Sequence, residues 1–155
     1  MAQKTPNIVL ICTDQMRRDC VGAFGNPEIE TPALDTMKRQ GCAFTRAYSA
    51  VPSCIPARAA LLTGLSQEHH GRVGYRDGVR WKYAHTLPGE FSKAGYHTQC
   101  IGKMHVSPAR NLLGFHNVLL NDGYMHHGRA YTENVFDNFC GCNDYLDWLK
   151  REKGV

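Results

Sequence analysis

A chain of 155 residues with 43% apolar residues is long enough for one domain with a hydrophobic core, and this composition argues against disorder. The net charge of +4 comes without a long basic run, so we expect no nucleic-acid footprint. No apolar stretch reaches the length of a transmembrane helix, and the N-terminal residues carry no signal-peptide pattern. We therefore expect a cytoplasmic protein that binds neither nucleic acid nor membrane.

The first predicted element is a strand over residues 7–13. A continuous β-branched and apolar run of this kind is typical of a strand buried on both faces of a parallel sheet. Such a strand would place Asp14 and Gln15 at its carboxyl end, where open α/β sheets form their ligand crevice. A carboxylate and an amide oxygen there can both face a hard cation such as Ca²⁺ or Mg²⁺. Taken alone, the pair is better explained by Asp14 capping a turn or helix.

A helix is predicted over residues 31–41, followed by a strand over residues 42–49. Thr31 can cap the helix, Pro32 fits its first position, and Gly41 fits a left-handed stop. The strand is predicted from a partial alternation of apolar and polar residues. The apolar face of the helix is predicted to contain Ala33, Leu34 and Met37.

A second helix is predicted over residues 54–62, closed by Gly64, with Pro56 compatible with its first turn. A thiol at a helix N-terminus lies at the positive end of the dipole, but this effect of about 0.3–1 kcal/mol cannot make Cys54 a catalyst. Arg58 lies about one turn further on, can share a face with Cys54, and could hold an oxyanion. The alternative is a buried cysteine with Arg58 in a surface ion pair.

Three further elements complete the chain: a helix over residues 86–95, a strand over residues 97–102 and a helix over residues 143–153. Residues 106–135 are rich in Gly, Asn and His and give no clear pattern. Strands that alternate with helices predict an α/β fold with a mostly parallel sheet.

The other candidate residues are a lysine, several histidines and the cysteines. Lys103 and His105 alternate around Met104, so in an extended segment they would point the same way, and a fixed charge beside an imidazole suits an anionic substrate and a proton transfer. A solvated loop is the simpler explanation of this pair when it is considered alone. A polar surface loop is likewise the simpler explanation, over substrate contact, of His116, His126 and His127.

Seven cysteines, an odd number, argue against a disulfide framework in a chain without an export signal. Cys140 and Cys142 are separated by a single residue, which fits poorly with the spacing of zinc ligands. Cys12 and Cys100 lie in apolar runs and are predicted to be small buried side chains.

Residues 54–64 read CIPARAALLTG, which resembles the sulfatase signature C-x-P-x-R with its usual Leu-Leu-Thr-Gly ending. Several blocks in matching order make this resemblance specific. It implies an alkaline phosphatase-like fold, of which residues 1–155 would be the N-terminal portion of the catalytic domain. The other blocks that resemble the family are residues 6–10 with Asp14, 31–35, 41–48, 86–88, 94–96 and 102–105.

The resemblance implies that Cys54 is converted to formylglycine by a separate maturation enzyme, which reads Pro56 and Arg58. The hydrated aldehyde would attack the sulfur of a sulfate ester and expel an alcohol, and loss of a proton from its second hydroxyl would then release sulfate. Arg58 would steady the nucleophile and Lys103 would contact both sulfate and formylglycine. His105 would hydrogen-bond the diol and act as the base for its collapse.

The resemblance also implies a divalent metal, with Ca²⁺ as the first choice and Mg²⁺ or Mn²⁺ as alternatives, bound by Asp14, Gln15 and residue 54. A cation that takes six or more oxygens is not satisfied by these three. The remaining ligands and the leaving-group acid of the family lie far downstream, so we expect an incomplete and inactive fragment. Met104 replaces the usual Trp, a change that we expect to affect packing more than chemistry.

The expected substrate is a small-molecule or carbohydrate sulfate ester. Gln15, where many relatives have an acid, also resembles the phosphonate monoester hydrolase branch. A phosphonate monoester or phosphodiester hydrolase with the same nucleophile is therefore one alternative, and a non-catalytic remnant is another.

Overall fold

The structure of the chain, a computed structural model, describes residues 5–76, 78–122 and 143–154. The chain divides into two units, Met1–Ala47 and Tyr48–Val155, and each is described by itself. The predictions for His126, His127, Cys140 and Cys142 lie outside the described residues. No helix in the described part of the chain is long and apolar enough to cross a bilayer.

The first unit contains two short 3-10 turns, Arg18–Cys20 and Gly22–Phe24, and helix α1, Pro32–Gln40. The hydroxyl of Thr31 precedes α1, but it accepts the N–H of Gly22 at 2.9 Å instead of an N–H of the helix. It also donates to Asp35 at 2.8 Å, and Asp35 accepts the N–H of Ala23. Thr31 therefore ties the start of α1 to the second 3-10 turn.

The two strands predicted in this unit are wrong. The structure has no strand over residues 7–13 or 42–49, and both segments expose large side chains, with Val9 80% and Phe44 77% exposed. A strand needs a neighbour that completes its hydrogen-bond ladder, and no described residue of this unit supplies one. Cys12, which was predicted to be buried, is consequently exposed.

Gly41 and the apolar face of α1 also differ from the prediction. Gly41 is extended, with φ −126°, instead of left-handed. Its N–H still bonds the carbonyl of Met37, and a Cβ at Gly41 would lie only 3.0 Å from that oxygen. Glycine therefore allows the backbone to approach the carbonyl of Met37 closely at this helix end. No residue of α1 is buried, so the face around Leu34 and Met37 is exposed within the described residues.

The second unit is built on helix α2, Cys54–Thr63, whose end at a left-handed Gly64 (φ 69°) confirms the prediction. The buried face of α2 forms the centre of the hydrophobic core. Burial of one such aliphatic side chain contributes roughly 1.5–3 kcal/mol. The core residues are Ile55, Ala59, Leu62, Trp81, Met104, Val106, Leu113 and Leu120.

Next along the chain after α2 come helix α3, Gln67–His70, which is a single turn, and helix α4, Leu87–Lys93. The hydroxyl of Thr86 caps α4 by accepting the N–H of Gly89 at 3.2 Å, and it donates to the carbonyl of Leu113. The cap therefore also fastens α4 to the segment before the second strand.

Among the residues that the structure describes, the sheet of the second unit pairs two parallel strands, β1, Gln99–Gly102, and β2, Asn117–Leu120, in the register Gln99 to Asn117. Parallel pairing confirms the predicted α/β class, although β2 falls within the segment that gave no sequence pattern. Helix α5, Asp144–Lys153, confirms the predicted last helix and is capped by Asn143, which accepts the N–H of Leu146 at 3.0 Å. The helix is fastened to β2, because Asp144 accepts the N–H of Leu120 at 2.6 Å.

Candidate active site

Cys54 is the first residue of α2. Ser53 before it is extended, and the first helical hydrogen bond runs from the N–H of Ala57 to the carbonyl of Ser53 at 3.0 Å. Pro56 therefore occupies a position whose missing N–H costs no helical bond. Because Ile55 and Pro56 are buried, the half-buried Cys54 is held at the rim of the core.

Lys103 meets Cys54 although 49 residues separate them. Its Nζ lies 3.5 Å from the Sγ of Cys54, within hydrogen-bonding distance for sulfur. Lys103 follows the last residue of β1, and this contact joins the end of the strand to the start of α2. The lysine that was predicted to contact the sulfate and the predicted nucleophile therefore lie at one site.

Arg58 lies one turn after Cys54 and contacts the same segment. Its Nη1 donates to the carbonyl of Lys103 at 2.5 Å. The guanidinium is partly buried, which argues against the alternative of a surface ion pair. This bond uses one of the five N–H donors of an arginine, and the others can still bind an anion.

His105 belongs to this segment but is not in an extended conformation. Its φ of 58° is left-handed and its side chain is only 2% exposed. The assumption that an extended chain aligns Lys103 with His105 is therefore wrong. The backbone turns because Asp122 accepts the N–H of Met104 at 2.7 Å and that of His105 at 3.0 Å.

Tyr75 and Asp122 are contacts of this segment that sequence reasoning missed. The hydroxyl of Tyr75 lies 3.3 Å from Nε2 of His105, and the two rings meet edge to face with centroids 5.4 Å apart. Tyr75 lies in an irregular loop and Asp122 two residues after β2. No local sequence pattern predicts either contact, because both contacts join residues that are far apart in the chain.

Cys100, in β1, lies among the same charged groups. Burial raises the pKa of its thiol, the positive charge of Arg58 opposes that change, and the negative charge of Asp122 adds to it. The thiol is therefore protonated and inert at neutral pH. Cys100 is half-buried, so the prediction of a small buried side chain is met only in part.

His116 makes local hydrogen bonds. Its Nδ1 accepts the N–H of Thr98 at 3.1 Å, and its Nε2 lies 3.3 Å from the hydroxyl of Ser92. The ring also stacks on His97, with centroids 4.9 Å apart. These contacts agree with the structural explanation of this histidine.

Asp14 and Gln15 lie in the other unit, where both are exposed and no strand precedes them. Gln15 is left-handed, with φ 57°. The chemistry of their oxygen donors suits a hard cation. Within residues 5–76, 78–122 and 143–154, however, no three His, Cys, Asp or Glu side chains converge in a way that would hold a metal ion.

Comparison with known proteins decides the family. Residues 6–153 match the family model described as Sulfatase. The chain belongs to the sulfatase family. This membership confirms the resemblance and the alkaline phosphatase-like α/β class, to which the parallel sheet and its flanking helices conform.

Individual relatives carry sulfatase names. This sulfatase chain is 60% identical over 149 residues, 96% of its length, to a protein of Clostridium perfringens named arylsulfatase. It is 38% identical over 117 residues, 68% of its length, to the N-acetylgalactosamine-6-sulfatase of Rattus norvegicus. It is 42% identical over 91 residues, 56% of its length, to the human N-sulphoglucosamine sulphohydrolase. The chain spans 31%, 22% and 18% of the lengths of these relatives, in the same order.

Proposed function

We propose that the gene product that contains this chain hydrolyses sulfate monoesters, with a formylglycine made from Cys54 as its nucleophile. The observation that carries the proposal is the meeting of Cys54 with Lys103 at 3.5 Å, with Arg58 bonded to the carbonyl of the same lysine. Two positive groups thereby lie around the first residue of a helix, an arrangement that suits an anionic ester. The sulfatase names of the relatives support this reading.

The positive groups have separate tasks in this proposal. Formylglycine supplies a nucleophilic oxygen that a thiol side chain does not have. The ammonium of Lys103 holds the sulfate group against residue 54, and the guanidinium of Arg58 fixes the lysine backbone while its other donors steady the anion. One preorganised donor of this kind is typically worth about 10²–10³ in kcat.

His105 is proposed to accept the proton whose loss releases sulfate. Its ring is buried within the same segment and lies beside the hydroxyl of Tyr75, so it is held in one orientation. General acid–base assistance from a positioned side chain is typically worth ~10²–10⁴ in rate.

A divalent cation is part of the proposal, with Ca²⁺ as the first choice and Mg²⁺ or Mn²⁺ as alternatives on the family resemblance. Such a cation would polarise the ester by charge stabilisation. Asp14, Gln15 and the modified residue 54 are its proposed ligands on the family resemblance, and Ca²⁺ takes about six to eight oxygens. The family resemblance places the remaining ligands and the leaving-group acid downstream, so we expect no sulfatase turnover from residues 1–155 alone.

The proposed substrate is a small-molecule or carbohydrate sulfate ester, and a formylglycine-generating enzyme is the proposed partner in maturation. The exposed amide of Gln15 supports one alternative, a phosphonate monoester or phosphodiester hydrolase with the same nucleophile. Replacement of an acid by an amide removes one negative charge from the proposed cation site, which changes the match between site charge and substrate charge.

The test is a side-by-side assay of the full gene product on an aryl sulfate and on a phenylphosphonate monoester, with Cys54→Ala as the control. We expect a higher kcat/KM on the sulfate and loss of both activities in the variant. A clear preference for the phosphonate would assign the alternative. Unchanged activity in Cys54→Ala would contradict the proposed nucleophile for both substrates.

A further inference from the structure

We infer that Asp122 is a positioning residue for the proposed reaction: its buried carboxylate fixes the backbone of Met104 and His105, and with it the imidazole, at the site. This inference rests on the proposed function, because it concerns how the proposed base is held. Asp122 itself is not required to touch the substrate. It acts through the backbone of His105.

The contacts of Asp122 are concentrated on one oxygen. Its Oδ1 accepts the N–H of Met104 at 2.7 Å and the N–H of His105 at 3.0 Å. The side chain is only 4% exposed, so water competes little for this oxygen. Hydrogen bonds from backbone amides to a carboxylate are shorter and stronger than those between neutral groups. Two of them on adjacent amides fix the direction of the peptide between Met104 and His105.

The segment needs such a restraint because its backbone turns through two left-handed residues. Gly102 has φ 102° and His105 has φ 58°. Glycine adopts the first conformation easily, but histidine adopts the second at a cost and keeps it only where the surroundings enforce it. Met104 between them is 1% exposed and anchored in the core. The conformation of His105 therefore depends on the two bonds to Asp122.

Opposite charges hold the two sides of this segment. Arg58 donates to the carbonyl of Lys103, and Asp122 accepts the amides of the next two residues. Cys100 feels both charges, since Arg58 and Asp122 act on its pKa in opposite directions. Loss of the Asp122 bonds would leave the bond between Arg58 and Lys103 in place. It would release the backbone of Met104 and His105, and with it the imidazole.

The experiment measures kcat and KM of the full gene product for three substitutions at Asp122. A misplacement of about 1 Å can cost about 10²-fold in rate, so we expect Asp122→Ala to lose about that much in kcat with KM little changed. Asp122→Asn keeps an oxygen that accepts both amides, and we expect it to stay within about tenfold of the parent. Asp122→Glu keeps the charge but displaces it by one methylene, and we expect an intermediate loss of kcat.

Asn143→Ala is the matched control. Asn143 is 3% exposed and its Oδ1 accepts the N–H of Leu146 at 3.0 Å, so this change also removes a buried acceptor of a backbone amide. We expect it to lower stability but to leave kcat near that of the parent. The formylglycine content of each variant is measured by mass spectrometry, which separates a positioning loss from failed maturation.

A double-mutant cycle with His105→Ala separates the inference from the proposed function. Positioning predicts that Asp122→Ala costs little further activity once the imidazole is gone. If His105→Ala is impaired while Asp122→Ala is fully active or its loss is fully additive, the inference fails and the proposed function stands. If His105→Ala is fully active, the proposed role of His105 fails, and the inference with it.

The Asn and Glu variants decide the matter if Asp122→Ala does not fold. Impairment of Asp122→Glu together with retention of activity in Asp122→Asn would support positioning through acceptor geometry. The reverse pattern would assign importance to the charge alone and overturn the inference.

Discussion

The ammonium of Lys103 is the group whose removal perturbs the proposed site most directly. Lys103→Met keeps the length and apolar stem of the side chain but deletes the positive charge that lies 3.5 Å from the Sγ of Cys54. The backbone carbonyl that accepts from Arg58 is retained, so the segment after β1 keeps its anchor. The substitution therefore tests the charge with little change in packing.

The expected size of the effect follows from the distance. A sulfate charge bound 3.5 Å from the ammonium, the distance at which Sγ of Cys54 lies, would interact with it by about 4–5 kcal/mol at an effective dielectric constant of about 20, and partial exposure of the lysine reduces this further. The loss of one preorganised electrostatic donor from an active site costs about 2.7–4 kcal/mol, or about 10²–10³ in kcat. We expect Lys103→Met to fall within that range.

The assay compares kcat and kcat/KM of the full gene product on an aryl sulfate, with the formylglycine content of each protein measured in parallel. Lys93→Met is the matched control, because Lys93 forms an exposed ion pair with Glu90 on the surface of α4. We expect the control to match the parent. A Lys103→Met enzyme within about threefold of the parent, with full formylglycine content, would refute the electrostatic reasoning.

Three further predictions concern the imidazole, the core and α5. Tyr75→Phe removes the hydroxyl 3.3 Å from Nε2 of His105, and we expect kcat to fall by less than about tenfold, in line with one neutral hydrogen bond, with unchanged thermal unfolding; no change in kcat would show that the contact is catalytically idle. Ile55→Ala truncates a buried core residue and should lower the free energy of unfolding in urea by about 2–5 kcal/mol; a loss below about 1 kcal/mol would contradict the assigned core. Burial opposes ionisation of Asp144, but the hydrogen bonds from Arg110 and the Leu120 amide outweigh it and lower the pKa below 3.8. The stability from Asp144 is therefore present above pH 3.8 and is lost as pH falls through the folded pKa, so Asp144→Asn should be less stable than the parent at pH 6 and closer to it under acid; an equal difference at both pH values would exclude this linkage.

The sequence predicted those helices whose signals are local. Gly64 ends α2, Thr86 caps α4 and Asn143 caps α5, and each signal acts within a few residues of the helix end. The same reasoning misjudged Gly41, where close approach to the carbonyl of Met37 explains the glycine. Residues near a helix end therefore sufficed to predict where the helix ends. Whether a glycine there is needed for a left-handed conformation or for close approach depends on the atoms around it.

Of the predicted strands, residues 97–102 are confirmed as β1, while residues 7–13 and 42–49 are not strands. Strands are harder to predict than helices because a strand is completed by a distant segment. Residues 7–13 have the composition of a buried strand, yet no described residue of their unit pairs with them. The short β2 is too brief to give a pattern of its own within residues 106–135, and it is a strand because its backbone pairs with β1. Sequence patterns report the tendency of a segment, and the partner decides the outcome.

The candidate site divides in the same way. Cys54, Arg58, Lys103 and His105 were predicted because they stand in recognisable motifs, and the structure brings Cys54, Arg58 and Lys103 into contact. Asp122 was missed because its contacts to residues 104 and 105 arise only when β2 pairs with β1. The metal ligands Asp14 and Gln15 remain a prediction.

The most direct measurement is mass spectrometry of the peptide that contains Cys54, from enzyme purified from its native host and shown to be active. We expect formylglycine at residue 54, and loss of both the modification and the activity in Cys54→Ala. An active enzyme that carries only an unmodified thiol at residue 54 would contradict the proposed nucleophile.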